Sequence, residues 1–187
     1  MALKRKSKPN TTKLGVIQVA TRMFLEKGYT DTSIRAISKE LGISSGHVMF
    51  YFPTKEHLLA VLVEMLCNFQ WQMLKIHVDE GKSSLMAICL ELMSMAAICE
   101  DSEIAKDFYI SAYTHPITLE IIRKSDRQRA KNVFAQYCPD WDDMDFKEAE
   151  ILVSGIEYAT LMTTESSSSL DVRIAGALKG IMTIYNV

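Results

Sequence analysis

The chain has 187 residues, 48% of them hydrophobic and 24% charged, enough to bury a core for one domain or two small ones and far from the composition of a disordered or fibrous protein. The net charge of −2 hides an asymmetry: residues 1–58 carry ten Lys/Arg against four Asp/Glu, residues 59–187 eleven against nineteen. A basic front end on an acidic body directs any polyanion partner to the front end alone.

Cys67, Cys89, Cys99 and Cys138 are widely spaced, with no CxxC pair and no histidine at metal-ligand spacing. That pattern predicts free thiols in a reducing cytoplasm rather than disulfides or a metal centre. The basic N-terminus lacks the apolar core and cleavage site of a signal peptide. The most apolar run, residues 85–99, is shorter than a membrane span and carries Glu91 in its middle, so it reads as a buried helix. The sequence therefore predicts no membrane partner and no cofactor.

In chain order, residues 1–10 hold Lys4, Arg5, Lys6 and Lys8 with no acid, a basic arm suited to phosphates. A first helix is expected to begin after Thr11 or Thr12, with Ile17, Ala20 and Phe24 as its core stripe and Gly28 as its stop. Thr32 is expected to cap a second helix. Leu41-Gly42-Ile43 reads as a tight turn, since Gly42 tolerates positive φ. Ser44 can then cap a third helix. Ile37, Leu41, Ile43, Val48 and Tyr51 fall on facing sides of this pair, with the small Ser38 at the crossing, the pattern of a helix-turn-helix. Ser45, Gly46, His47 and Phe50 are left to project outward, toward a DNA major groove.

Pro53-Thr54 marks the next boundary. Leu58, Leu62, Met65, Phe69 and Met73 predict one long helix over 54–79, stopped by Gly81. Further helices are expected at 83–99, 102–113, 116–137, 145–165 and 170–185, the last two separated by the polar run 166–169. With no alternating strand pattern, the fold class is all-α with about nine helices. The expected division is a DNA-binding domain at 1–53 and a helical effector-binding and dimerisation domain at 54–187.

The segments GYTDTSIRAISKELGIS and MFYFPTKEHLL resemble the TetR family of bacterial transcriptional regulators, over residues 11–62. The resemblance implies a homodimer, operator DNA bound by paired helix-turn-helix units, and a small-molecule effector bound in the body. It implies phosphate contacts at Thr32 and Ser33, and at Tyr51 and Lys55, with Ser45, Gly46 and His47 at the exposed start of the recognition helix. Three positions depart from the family pattern: Ser45 replaces a frequent lysine, Met49 a frequent tyrosine, and Phe50 a polar or basic residue. The recognition helix is poor in charge, so base reading falls to His47, thymine-methyl contacts and DNA shape. Packing of Met49 and Phe50 against the following long helix is an equal alternative.

In the body, Phe146, Val153 and Ile156 line one side of the penultimate helix, and Ile174, Leu178, Ile181, Met182 and Tyr185 one side of the last. With the small Gly155, Ala159, Gly176, Ala177 and Gly180 nearby, the resemblance makes these the dimer face, the alternative being intrachain core. Trp71, Met86, Met93, Phe108, Tyr109, Tyr113 and Met162 are candidates for an adaptable apolar effector pocket, or for plain core. Glu91 is the sharper signal: a carboxylate in so apolar a helix pairs with a cation, protrudes, or lines the effector site. An enzyme is not expected, because His47, His57, His77 and His115 are scattered and no HExxH or Glu-x-x-His motif is present. The expected function is a dimeric repressor released by an apolar or amphipathic effector. The alternatives are a helical binding module with impaired DNA binding and, last, a helical-bundle enzyme.

Overall fold

The computed structural model describes residues 9–79, 83–163 and 168–187. Among these, nine α-helices and no strand are found: α1 (Pro9–Lys27), α2 (Ile34–Leu41), α3 (Ser45–Tyr51), α4 (Lys55–Asp79), α5 (Ser84–Asp101), α6 (Glu103–Thr114), α7 (Pro116–Phe134), α8 (Asp143–Met162) and α9 (Leu170–Ile184). The all-α class is as expected. Residues 1–8 of the basic arm, Gly81 and residues 166–167 of the polar run lie outside the described residues.

Helix ends follow local chemistry. Gly28 and Gly42 close α1 and α2 at φ +87° and +65°, where a side chain would be strained. Ser33, not Thr32, caps α2, its Oγ accepting from the Ala36 N–H at 3.1 Å. Ser44 caps α3 in the same way through His47. Ser102 both ends α5 and caps α6. α8 begins two residues earlier than expected because Asp142 and Asp145 form a reciprocal capping box. α7 stops at Phe134 rather than 137, its last predicted residues lying in turns.

Two apolar clusters hold the helices together. The first runs from Val16 and Phe24 of α1 through Ile37, Val48 and Leu59 to Ala96, Ala112 and Ile122, so the first three helices share one core with α4–α7. The second gathers Leu74, Phe134, Phe146, Val153, Ile181 and Tyr185, with the rings of Phe134 and Tyr185 stacked at 4.1 Å. This second cluster takes in most of the residues expected at a dimer face. Phe146, Val153, Ile174, Ile181 and Tyr185 are buried within the chain itself, and Ile156, Leu178 and Met182 are half-buried against the same cores. The broad apolar stripes of α8 and α9 are spent on α5, α6 and α7. What α8 and α9 leave outside is a different stripe: Ile151, Leu152 and Val172, with Gly155, Ala159, Ala175 and Gly176. A Cβ added at Gly155 or Gly176 would meet nothing within 4 Å.

Candidate DNA interface and effector cavity

The α2–Gly42–α3 unit has the geometry of a helix-turn-helix. The Gly42 N–H bonds to the Lys39 carbonyl and the Ile43 N–H to the Ser38 carbonyl, turning the chain within three residues. Ser38 is buried at the crossing, where its hydroxyl donates to the Arg35 carbonyl at 2.9 Å and lies 3.0 Å from the Ser45 hydroxyl. Val48 and Phe52 anchor α3 to the core. Gly46, His47, Met49 and Phe50 face solvent, and Phe50 is 80% exposed. Phe50 thus does not pack against α4; it meets the Tyr51 ring edge-on at 5.2 Å.

Several expected DNA contacts are placed differently. Thr32 is 1% exposed and its hydroxyl donates to the Gly28 carbonyl at 2.8 Å, so that hydroxyl cannot meet a phosphate. Ser33 is exposed but its oxygen is the α2 cap. Ser45 is half-buried against Ser38, and Tyr51 is half-buried against the core. Lys55 points inward: its Nζ donates to the Tyr29 carbonyl at 2.9 Å and sits 4.0 Å from the centre of the Tyr29 ring. Burial lowers its ammonium from the ordinary lysine value.

Tyr29 and Thr30 join the front helices to the body. The Tyr29 hydroxyl donates to Glu56 at 3.3 Å, and its ring meets His115 edge-on. Asp107 of α6 accepts from the Thr30 N–H at 2.8 Å and from the Thr30 hydroxyl. The sequence reading missed Asp107. Nothing local marks an acid that caps a turn 77 positions away.

The body holds a cavity of about 240 Å³ between α4 and α5, with Tyr109 of α6 also on its wall. Leu66, Phe69, Met73, Leu90, Met95 and Ile98 make its walls largely apolar, with Gln70, His77 and Glu91 as polar groups. Leu66, Gln70, Glu91, Met95 and Tyr109 also line an inner chamber of about 20 Å³, so the two spaces adjoin. On the other side of Tyr109, Leu66 and Ile98 lies a groove of about 390 Å³ reaching Thr21, Phe24 and Leu25 of α1, with Phe108 on its α6 wall. Of the expected pocket residues, Glu91, Phe108, Tyr109 and Tyr113 line these spaces. Trp71, Met86, Met93 and Met162 do not line the cavity: Met86 and Met93 are exposed, and Trp71 packs on the second core.

Glu91 is neither lone nor protruding. Arg129 clamps it with two bonds of 2.7 Å, and Gln70 donates at 2.7 Å. The same guanidinium lies 3.1 Å from Asp126. Glu157 accepts from the Tyr113 hydroxyl at 2.9 Å. Burial, then the neighbouring carboxylates, push Glu157 up to about 8 and Asp126 up to about 6. Glu150, 2% exposed and with neither oxygen hydrogen-bonded among the described residues, is pushed up to about 10. Arg129 and Asp126 were missed because helical periodicity does not reveal which charges meet inside.

A helix-turn-helix with an exposed outer face on its second helix is thus carried by a helical body with an apolar cavity. Residues 16–62 match the family model of the bacterial regulatory proteins of the tetR family, which takes in most of α1, the α2–α3 unit and the start of α4. The chain is 48% identical over 44 residues to the uncharacterized HTH-type regulator YuxN of Bacillus subtilis, covering 24% of this chain and 15% of YuxN. It is 31% identical over 65 residues to the HTH-type regulator AcrR of Shigella flexneri, covering 35% of this chain and 30% of AcrR. The chain thus matches less than two fifths of the length of these curated relatives. Two solved structures share its fold at 14% identity. The FadR repressor of Thermus thermophilus, in complex with lauroyl-CoA, has a TM-score of 0.68 over 92% of each chain. FadR of Bacillus subtilis, in complex with stearoyl-CoA, has 0.61 over 93% of this chain and 98% of its own.

Proposed function

We propose that the chain is a dimeric transcriptional regulator that binds operator DNA through α3 and represses until an apolar or amphipathic molecule enters the body. The observation that carries this reading is the outward face of α3, where Gly46, His47, Met49 and Phe50 stand free while Val48 and Phe52 hold the helix down. Bare side chains on a rigid short helix are what a major groove requires. Residues 1–53 form the DNA-binding part and residues 54–187 the sensing and dimerising part.

The second copy docks on the stripe that α8 and α9 leave outside. Leu152 is 60% exposed, and Gly155, Ala159, Ala175 and Gly176 beside it permit close helix approach. Binding to successive grooves then requires the two-fold axis through this face to hold the two α3 helices about 34 Å apart, or a multiple of that.

The effector acts as a population shift. Phe108 and Tyr109 of α6 border the groove and cavity, and the adjacent Asp107 holds the turn that leads into α2. A ligand that favours a different placing of α6 therefore moves the front helices. Reducing operator affinity ~100-fold needs a difference of about 2.7 kcal/mol between the ligand's affinities for the two states. The acyl-CoA complexes of the two FadR proteins support an effector with an apolar chain. Fluorescence anisotropy of fragments selected from the source genome, at two salt concentrations, tests the DNA reading. Selective binding that weakens steeply with salt supports it; no selectivity among fragments contradicts it.

A further inference from the structure

The inner chamber has a chemistry that the apolar cavity alone does not suggest. At about 20 Å³ it holds one water-sized group, for which roughly 10–15 Å³ suffices. Three carboxyl groups line it, those of Glu91, Asp126 and Glu157. They come from three different helices, α5, α7 and α8. One guanidinium, that of Arg129, serves two of them, bonding Glu91 twice at 2.7 Å and Asp126 at 3.1 Å. Glu157 is left with the Tyr113 hydroxyl, a neutral donor. Acids therefore outnumber cations around a space that shares Gln70, Met95 and Glu91 with the walls of the larger apolar cavity.

We propose that this site takes a primary amine with a linear apolar body, its ammonium group in the chamber against Glu157, Glu91 and Asp126 and its body along the cavity toward Ile98. An –NH3⁺ group is about the size of water and carries three N–H donors, matching three acceptors on three sides. A trimethylammonium group is too large for the chamber and has no donor. An anionic head would face like charge in a low-dielectric site, where such repulsion is screened little. A neutral hydroxyl fits but leaves the excess negative charge unanswered.

The proposal rests on reading the cavity as the effector site and is tested without DNA, so failure here leaves the DNA-binding reading standing. Isothermal titration of the full chain with octylamine, octyltrimethylammonium, octanol and octanoate, each below its micellar range, compares heads at constant tail. Octylamine is expected to bind saturably, one per chain, at least ~10-fold tighter than each of the other three. At pH 9, where the Glu157 carboxyl is ionised and octylamine is still an ammonium, Glu157→Gln keeps the shape and is expected to lower octylamine affinity ~10-fold while leaving octanol unchanged. Equal affinity for octylamine and octanol would overturn the proposal, showing that water alone occupies the chamber. Tighter binding of octanoate, or of the bulky trimethylammonium, would overturn it equally. Asp126→Asn is the second variant should Glu157→Gln not fold, with the same expectation.

Discussion

The carboxylate of Asp107 on α6 accepts from the backbone N–H of Thr30 at 2.8 Å, and a Cβ placed on the neighbouring Gly28 would lie 2.8 Å from the same oxygen. The helical body thus grips the loop that leads into the α2–α3 unit, and the grip needs a glycine. Gly28→Ala meets two obstacles, the clash with Asp107 and a φ of +87°. It is expected to destabilise the fold by about 1–3 kcal/mol. In a double-mutant cycle, Asp107→Ala should recover part of that loss, because the clash goes while the backbone strain stays. Strictly additive losses in thermal unfolding would contradict the contact.

Phe50 is exposed and touches little beyond the Tyr51 ring. Phe50→Ala should leave stability within about 0.5 kcal/mol, as for other surface sites away from special features. It should nevertheless weaken binding to the selected operator more than to random duplex. Lys55→Ala is expected to behave oppositely, lowering the melting temperature through loss of its bond to the Tyr29 carbonyl and its place over the Tyr29 ring. An unaltered melting point for Lys55→Ala would show that the ammonium is held elsewhere in solution.

Two aspartate substitutions separate the dimer face from the core. Ile181 is 2% exposed, so Ile181→Asp should unfold the chain, with loss of helical circular dichroism. Leu152→Asp should leave the fold intact and yield monomers in sedimentation. Folded dimers from Leu152→Asp would place the interface elsewhere.

The acids around Arg129 make stability depend on pH. Glu157 and Asp126 are raised from ordinary values of 4.5 and 3.8 to about 8 and about 6. Between those limits the folded chain holds more protons than the unfolded chain, so their contribution is full at low pH and is lost as pH rises. The loss should run from about pH 4 to about pH 8. Denaturant titrations are expected to show a smaller unfolding free energy at pH 8.5 than at pH 6, with a shallower fall in Glu157→Gln. An unchanged slope in that variant would assign the pH dependence to other groups.

The helix-turn-helix was legible in the sequence because each of its signals is local. Gly42 at a turn, Ser44 three residues before an amide it caps, and Ile37 and Val48 at helical spacing constrain only their neighbours. The burial of the residues expected at a dimer face went unread for an equally physical reason. Phe146, Val153 and Ile181 are the strongest apolar signals on α8 and α9, and the strongest apolar stripe goes to the chain's own core. The small residues Gly155 and Gly176 marked the outward side, which bulk hydrophobicity concealed. Glu91 was rightly singled out as costly to bury, yet its partner Arg129 lies 38 positions away on another helix. Long-range charge pairing of that kind leaves no trace in periodicity. Thr32 illustrates the same limit at short range: one residue decides whether a hydroxyl caps α2 or closes inward on Gly28.

On the proposed reading α3 delivers an exposed face without Lys, Arg, Asp or Glu to duplex DNA from a two-fold pair of chains. Hydroxyl-radical footprinting of the chain on a fragment selected from its source genome tests it most directly. The account predicts two protected patches related by symmetry, with centres one helical turn or a multiple apart, both lost in His47→Ala/Phe50→Ala while dimers persist. A single patch, or protection that survives that double substitution, would contradict it.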